Sequence, residues 1–346
     1  MTSNKSILWI NYLKAISIIG VFFVHCNLDY GYDMHIINSF LHPFYVNAFF
    51  FVSGYLLFRK QLSEPLISQR ASEYLLLGGG KTLILNILFR LIIPSTLFAA
   101  IEFIPSHLLR GMTFDIGTLL YKTIGGCTYW FTSALVVAEL LILLMLVSRK
   151  RSIWFYLIAS CVIYALGQSI VNCGFTLFDH YPSLPWHYQN GMFAVIFLAV
   201  GGVYWKFENY INRMMNKYVF AGMIVLYIIL LMIFPSHFKV LVSMLDVNIA
   251  GIFLSILATV SLIELCKRLP QSNVLNYIGQ NTIGFYFMSG ALPIVLSMLV
   301  HKVMPESNAL GLAIVFTGSI GIAYVAVYLM NRFIPWVFDL RTLKRN

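Results

Sequence analysis

The fold of this chain is decided by its first long apolar stretch, NYLKAISIIGVFFVH, which occupies residues 11–25. Lys14 and His25 are the basic side chains within it. In an α-helix, two residues that are 11 positions apart lie on nearly the same face and are separated by about 16 Å. We therefore predict a transmembrane helix with a cation and an imidazole along one wall.

Ionisable side chains inside a membrane are costly and normally face a protein interior or an aqueous cavity, so Lys14 and His25 are candidate functional residues. The alternative interpretation is that Lys14 extends to the membrane surface and His25 merely caps the far end of the helix. Asp29 follows His25 by four residues and shares its face if the helix continues that far. A carboxylate there would orient the imidazole, so we predict His25 as a general base and Asp29 as its partner.

The composition indicates a membrane protein. Hydrophobic residues make up 60% of the 346-residue chain and charged residues only 10%, and the mean hydropathy is +0.82. A soluble protein carries more charge than this. The formal net charge of +10 is spread over short loops, which argues against a nucleic-acid partner. The cysteines show no metal-binding spacing, so no metal is expected.

Apolar segments long enough to cross a membrane recur along the whole chain. We predict an all-α fold of about ten transmembrane helices, in one polytopic domain over residues 1–346 with no separate soluble domain and with a first helix that is retained as a signal anchor. The predicted spans cover residues 7–27, 43–58, 82–104, 128–148, 152–172, 190–205, 218–235, 246–266, 275–300 and 309–335.

The basic residues predict the orientation of these spans. Of the Lys and Arg residues, 17 fall on one side, 4 fall on the other, and Lys14 and Arg90 lie within spans. By the positive-inside rule, the richer side is cytoplasmic, so both termini are predicted to lie in the cytoplasm.

Two further ionisable residues lie at the depth of Lys14 in the predicted topology. Arg90 is in the third span, and Glu139 is in the inner half of the fourth. Two cations and one anion in a shared cavity would leave a positive charge that calls for an anionic ligand, such as the phosphates of a nucleotide-like cofactor. The alternative is a structural Arg90–Glu139 pair, with Lys14 extending to the membrane surface.

Five segments, in order, resemble the acyltransferase-3 family of integral-membrane O-acyltransferases. The first is the initial span with its basic residue, Gly20 and His25. The others are AFFFVSGYLL (residues 48–57), RLIIP (90–94), YWF (129–131) with AEL (138–140), and YIGQNTIGFY (277–286).

The resemblance implies transfer of an acyl group, most often acetyl, from cytosolic acyl-CoA to a sugar hydroxyl of a bacterial surface polysaccharide, such as O-antigen, at the inner membrane. In this interpretation Lys14 and Arg90 hold the CoA phosphates, and His25 with Asp29 activates the acceptor hydroxyl. Supporting groups or oxyanion donors would come from the following residues: Glu139, Ser53, Trp130, Asn281 and Ser289.

The chain departs from the family pattern at two positions. Lys14 stands where the family commonly has Arg, and Ser289 stands where it often has His. Some relatives carry an extracytoplasmic hydrolase-like domain, which we do not find, so the chain is expected to act alone or with a partner protein or second copy. Two alternatives are a polysaccharide or lipid-linked sugar exporter and a membrane subunit without chemistry. The first would share a polar cavity, but an inverted repeat or paired broken segments typical of transporters are not evident, although Pro94 and Pro293 could kink the third and ninth spans.

Overall fold

The computed structural model describes residues 8–63, 74, 78–109, 115–148, 152–172, 185–233 and 249–344. In this part of the chain every regular element is helical and no β-strand is present. The predicted all-α fold is therefore confirmed.

The described residues form fifteen α-helices. They are α1 (Leu8–Tyr30), α2 (His35–Leu41), α3 (Asn47–Ser63), α4 (Gly79–Ile87), α5 (Ile93–Leu109), α6 (Ile116–Thr123), α7 (Trp130–Val147), α8 (Ile153–Asn172), α9 (Tyr188–Met214), α10 (Lys217–Ile233), α11 (Ile249–Arg268), α12 (Asn273–Gln280), α13 (Thr282–Met288), α14 (Ala291–Val303) and α15 (Ala309–Phe333). A π-helical turn, Leu88–Ile92, joins α4 to α5, and 3-10 turns occur at Pro185–His187, Pro335–Val337 and Leu340–Lys344.

Within the described residues, 7 helices are long and apolar enough to cross a membrane. The pair α13 and α14 passes the same test together and is bent by 44°. The 17-residue helices α3 and α10 lie at the second and seventh predicted spans. A multi-pass membrane protein is therefore confirmed, whereas ten spans and cytoplasmic termini remain predictions.

The span predicted over residues 275–300 is broken into α12, α13 and α14. Asn281 separates the first two helices, and Ser289 and Gly290 separate the last two. Pro293 contributes to the second break, because a proline lacks an N–H group and its ring clashes with the carbonyl four residues earlier. The hydropathy of this run does not reveal the interruptions, although Pro293 in the sequence is a signal for the second.

The helices form two compact units, of which the first comprises Met1–Phe49 and Arg213–Ile334. In this unit α1 packs against α11, α12, α14 and α15. The Asn11 side-chain amide donates a hydrogen bond to the side-chain oxygen Oδ1 of Asn276 at 2.7 Å. One turn further along α12, a Cβ added at Gly279 would overlap the backbone of Asn11. Gly279 therefore allows α12 to approach α1 at backbone distance.

The second unit comprises Phe50–Asn212 and Pro335–Asn346. Here the backbones of α3 and α9 also come into close contact, which two glycines allow. An added Cβ at Gly54 would overlap the backbone carbonyl of Leu198, and an added Cβ at Gly201 would overlap the backbone carbonyl of Phe51. The Phe50 ring on α3 packs against the Phe131 ring on α7, with centroids 4.9 Å apart. The glycine and the aromatic residues of the 48–57 segment thus pack α3 against α9 and α7.

Candidate functional site

Helix α1 carries three of the predicted site residues without a break. It runs from Leu8 to Tyr30, so Lys14, His25 and Asp29 all lie on one α-helix. Lys14 and His25 are partly exposed although most residues of α1 are buried, and Asp29 is exposed. The helix therefore extends far enough for the spacing argument to apply to all three residues.

The His25 ring lies among the packed side chains of the first unit. It forms no hydrogen bond with another residue in the described part of the chain. Its role as a general base remains a prediction. The orienting role of Asp29 remains a prediction.

The C-terminal end of α1, one turn beyond His25, contacts the end of α14, the connection that follows and the start of α15. The Tyr30 ring stacks on the His301 ring, with centroids 4.5 Å apart and an interplanar angle of 16°. The Tyr30 carbonyl accepts hydrogen bonds from His301 Nε2 at 3.2 Å and from Ser307 Oγ at 2.8 Å. Gly311 leaves room for the Tyr30 hydroxyl, because a Cβ added at residue 311 would overlap this hydroxyl. These contacts hold the helix end in one orientation.

In the second unit, Arg90 lies at the centre of the π-helical turn Leu88–Ile92. Pro94 explains the turn, because it has no N–H group to donate to the carbonyl of Arg90, four residues earlier. The next residue, Ser95, donates its hydroxyl to the carbonyls of Leu91 and Ile92 at 2.6 and 3.0 Å. π-Helical turns are rare and occur frequently at functional sites. The backbone therefore has a distinct geometry at Arg90.

The ion-pair partner of Arg90 among the described residues is Asp339, at 3.8 Å between Nε and Oδ2. The Glu139 carboxyl group interacts with the Ser53 hydroxyl and, electrostatically, with the positive charge of Arg90. No ion pair joins Arg90 to Glu139 within the described residues. Arg90 and Glu139 thus interact only through their charges in this part of the chain, and the role of Glu139 remains a prediction.

Asp339 also binds Arg341, two residues further along the C-terminal tail. The Arg341 guanidinium donates to both Asp339 oxygens, from Nε at 2.8 Å and from Nη2 at 2.6 Å, and to the side-chain oxygen of Asn86. Desolvation raises the pKa of Asp339, but the hydrogen bonds and charge of Arg341, together with the charge of Arg90, outweigh it and hold the pKa below its ordinary value. Asp339 is therefore ionised near neutral pH, with two guanidinium groups beside it.

Two of the candidate supporting or oxyanion residues form side-chain hydrogen bonds with nearby groups. Ser289 donates its hydroxyl to the Tyr286 carbonyl at 2.8 Å. The Asn281 amide donates to the Tyr277 carbonyl at 2.9 Å and accepts from Asn331 at 2.9 Å.

Trp130, by contrast, is partly exposed at the first residue of α7, between the buried Tyr129 and Phe131. Its indole N–H forms no hydrogen bond with a described residue. The side-chain contacts therefore favour Trp130 over Ser289 as an available donor.

The predicted residues are divided between the two units. The first unit contains Lys14, His25, Asp29, Asn281 and Ser289, and the second contains the rest. Sequence reasoning missed the roles of Asp339 and Arg341, although the short spacing of opposite charges in the tail is a signal for a local ion pair.

Comparison with known proteins gives one match. A family model described as an acyltransferase domain matches residues 7–328. No curated protein and no solved structure matches the chain.

Proposed function

Because the chain belongs to the acyltransferase-3 family and is a membrane acyltransferase, we propose that it moves an acetyl group from cytosolic acetyl-CoA to a sugar hydroxyl of a bacterial surface polysaccharide such as O-antigen. The observation that carries this proposal is the continuity of α1 through Lys14 and His25. Such a helix suits a reaction in which the donor enters from the cytoplasm and the acceptor from outside. We further propose ten spans in one membrane domain, with both termini cytoplasmic, at the inner membrane.

In the proposed reaction His25 acts as the general base. The acceptor hydroxyl attacks the thioester carbonyl while His25 takes the hydroxyl proton, so the new C–O bond forms as charge develops on the carbonyl oxygen. Collapse of the tetrahedral intermediate breaks the C–S bond, and the proton leaves with the CoA thiol. A hydrogen-bond donor would stabilise the oxyanion. Asp29 orients the imidazolium that forms.

Lys14 and Arg90 are proposed to bind the phosphates of CoA. Cations in a poorly solvated site attract an anionic ligand, because each phosphate contact replaces lost hydration. The pantetheine arm would then extend along the face of α1 toward His25. Glu139 and Ser53 are proposed to support Arg90 rather than to bind the donor.

We expect His25→Ala to abolish acetylation of surface glycans while the protein is still inserted. Loss of a general base typically lowers the rate 10²- to 10⁴-fold. His35→Ala is the control, because His35 is exposed on α2 and bonds only locally, to Ser39 at 3.3 Å among the described residues. Mass spectrometry of surface glycans gives the acetylation, and immunoblotting of membranes gives the protein level.

Normal acetylation by His25→Ala would refute the mechanism. A loss of surface glycan, rather than of its acetyl groups, would instead indicate the exporter alternative.

Substitutions at Lys14 test the donor site. Lys14→Ala should weaken binding of CoA by the purified protein, because one charge-assisted contact is worth about 1.5–3 kcal/mol. Lys14→Arg should retain or improve the affinity, since a guanidinium binds phosphate with two donors. Isothermal titration with CoA at fixed salt measures both. Unchanged affinity in Lys14→Ala would place the phosphates elsewhere.

A further inference from the structure

The C-terminal tail brings a second guanidinium group to Arg90. Residues of the tail from Pro335 onward belong to the second unit, as Arg90 does. Asp339 lies between the two cations: its Oδ2 is 2.6 Å from Arg341 Nη2 and 3.8 Å from Arg90 Nε. One carboxylate thus faces two guanidinium groups.

These two guanidinium groups are accessible. The side chains of Arg90 and Arg341 are 59% and 40% exposed, whereas that of Asp339 is 25% exposed. Arg341 uses its donors on Asp339 and Asn86, and Arg90 approaches Asp339 only at ion-pair distance. Both guanidinium groups therefore retain N–H donors that can bind a further anion.

The tail is held in place by apolar packing as well as by charge. The Phe338 ring stacks on the Phe98 ring of α5, with centroids 5.7 Å apart and an interplanar angle of 8°. Phe338 is 7% exposed and Phe98 is 6% exposed. The stack anchors the residue before Asp339 to the helix that follows the π-helical turn. The position of Arg341 relative to Arg90 is therefore a consequence of packing.

Arg341 lies beyond the segment that the family model matches, which ends at residue 328. Arg341 is therefore a residue of this chain that the family match does not cover. Paired guanidinium groups are well suited to phosphate, because each presents a planar array of donors that matches phosphate oxygens.

We propose that Arg341 and Arg90 together bind a phosphate group of the acyl donor, and that Asp339 is a positioning residue that holds both guanidinium groups at this site. The proposal rests on the proposed function, since it assigns a donor with phosphates. It adds Arg341 to the donor site and gives the C-terminal tail a role in it. A phosphate on an anionic lipid headgroup has the same chemistry, and the experiment separates the two sources.

The test compares CoA binding by wild type, Arg341→Gln, Arg341→Lys and Arg332→Gln. The proteins are purified in nanodiscs of phosphatidylcholine and titrated calorimetrically with CoA. Arg332 is a matched control, because it is an exposed arginine near the C-terminal end of α15 that contacts the Phe333 ring. Size-exclusion profiles and apparent Tm values establish that the variants are folded.

We expect Arg341→Gln to weaken CoA binding by roughly tenfold to a hundredfold, the loss of one charge-assisted contact. Arg341→Lys should lose less, because it keeps the charge but not the planar fork, and it serves as the decisive variant if Arg341→Gln does not fold. Arg332→Gln should bind CoA as wild type does. Wild-type affinity in Arg341→Gln and Arg341→Lys would overturn the proposal.

A parallel titration uses nanodiscs that contain phosphatidylglycerol and measures association of this lipid by native mass spectrometry. Loss of bound phosphatidylglycerol in Arg341→Gln, with CoA affinity unchanged, would overturn the acyl donor as the ligand in favour of a lipid phosphate. Absence of CoA binding by the wild type would contradict the proposed function itself. This result differs from the one that overturns only the role of Arg341, in which the wild type binds CoA and the Arg341 variants bind it equally well.

Discussion

A buried imidazole at His42 makes stability sensitive to acid. His42 is 9% exposed, and its Nε2 has no hydrogen-bond partner among the described residues. Burial and then the charge of His35 lower the pKa of His42 to about 4. In the unfolded chain an imidazole has a pKa of about 6.5. The unfolded state therefore binds more protons between these two values, and stability falls as the pH falls through this window.

Replacing His42 with Leu should reduce the loss of stability between pH 6.5 and pH 4. The shift corresponds to at most about 3 kcal/mol, and this contribution disappears when the side chain cannot be protonated. Apparent Tm values of the purified protein, measured across this window for wild type and His42→Leu, provide the test. An identical pH dependence in the two proteins would contradict the prediction. Above pH 6.5 the imidazole is neutral in both states, so this contribution is absent there.

At the scale of the helices, two glycines from the quoted segments set how closely neighbouring elements pack. Gly54 lets α3 meet α9, and Gly279 lets α12 meet α1, each within its own unit. In both places an added Cβ would overlap backbone atoms of the neighbouring helix, and backbone cannot move aside as a flexible side chain can. The glycines therefore have a packing role that a sequence pattern alone does not reveal.

We expect Gly54→Ala and Gly279→Ala to destabilise the protein by about 1–3 kcal/mol or more, because overpacked helices must separate. Gly222→Ala is the matched control, since a Cβ there meets no atom within 4 Å. That change should leave stability unchanged or raise it by about 0.5–1 kcal/mol, as glycine is unfavourable within a helix. Thermal unfolding followed by circular dichroism in one detergent compares the three variants. Equal stability in all three would contradict the packing argument.

At the scale of the whole molecule, the proposed orientation predicts which loops face the cytoplasm. Reporter fusions after Lys60 and Lys217 should be cytoplasmic, and fusions near Arg110 and Lys302 should be external, because basic residues are retained on the cytoplasmic side. Alkaline phosphatase and green fluorescent protein fusions at the same positions give opposite signals and control for expression. A reversed assignment at one of these loops would refute the ten-span topology.

The sequence by itself predicted the helical class, the membrane location and the continuous first helix with Lys14 and His25. These properties depend on local composition and on the spacing of residues along one helix, both of which are present in the order of residues. The family was also predicted correctly, because its motifs are short and retain their order. The individual roles of the site residues remain predictions.

Only the tertiary structure decided which partners the polar residues have. Arg90 forms an ion pair with Asp339 in the tail, and the alternative pairing of Arg90 with Glu139 forms no ion pair among the described residues. The apolar run over residues 275–300 contains breaks that hydropathy averages out. The physical reason is that the partners of a side chain depend on which distant segments pack beside it. Hydropathy and helical periodicity describe only the residues next to one another on a single element.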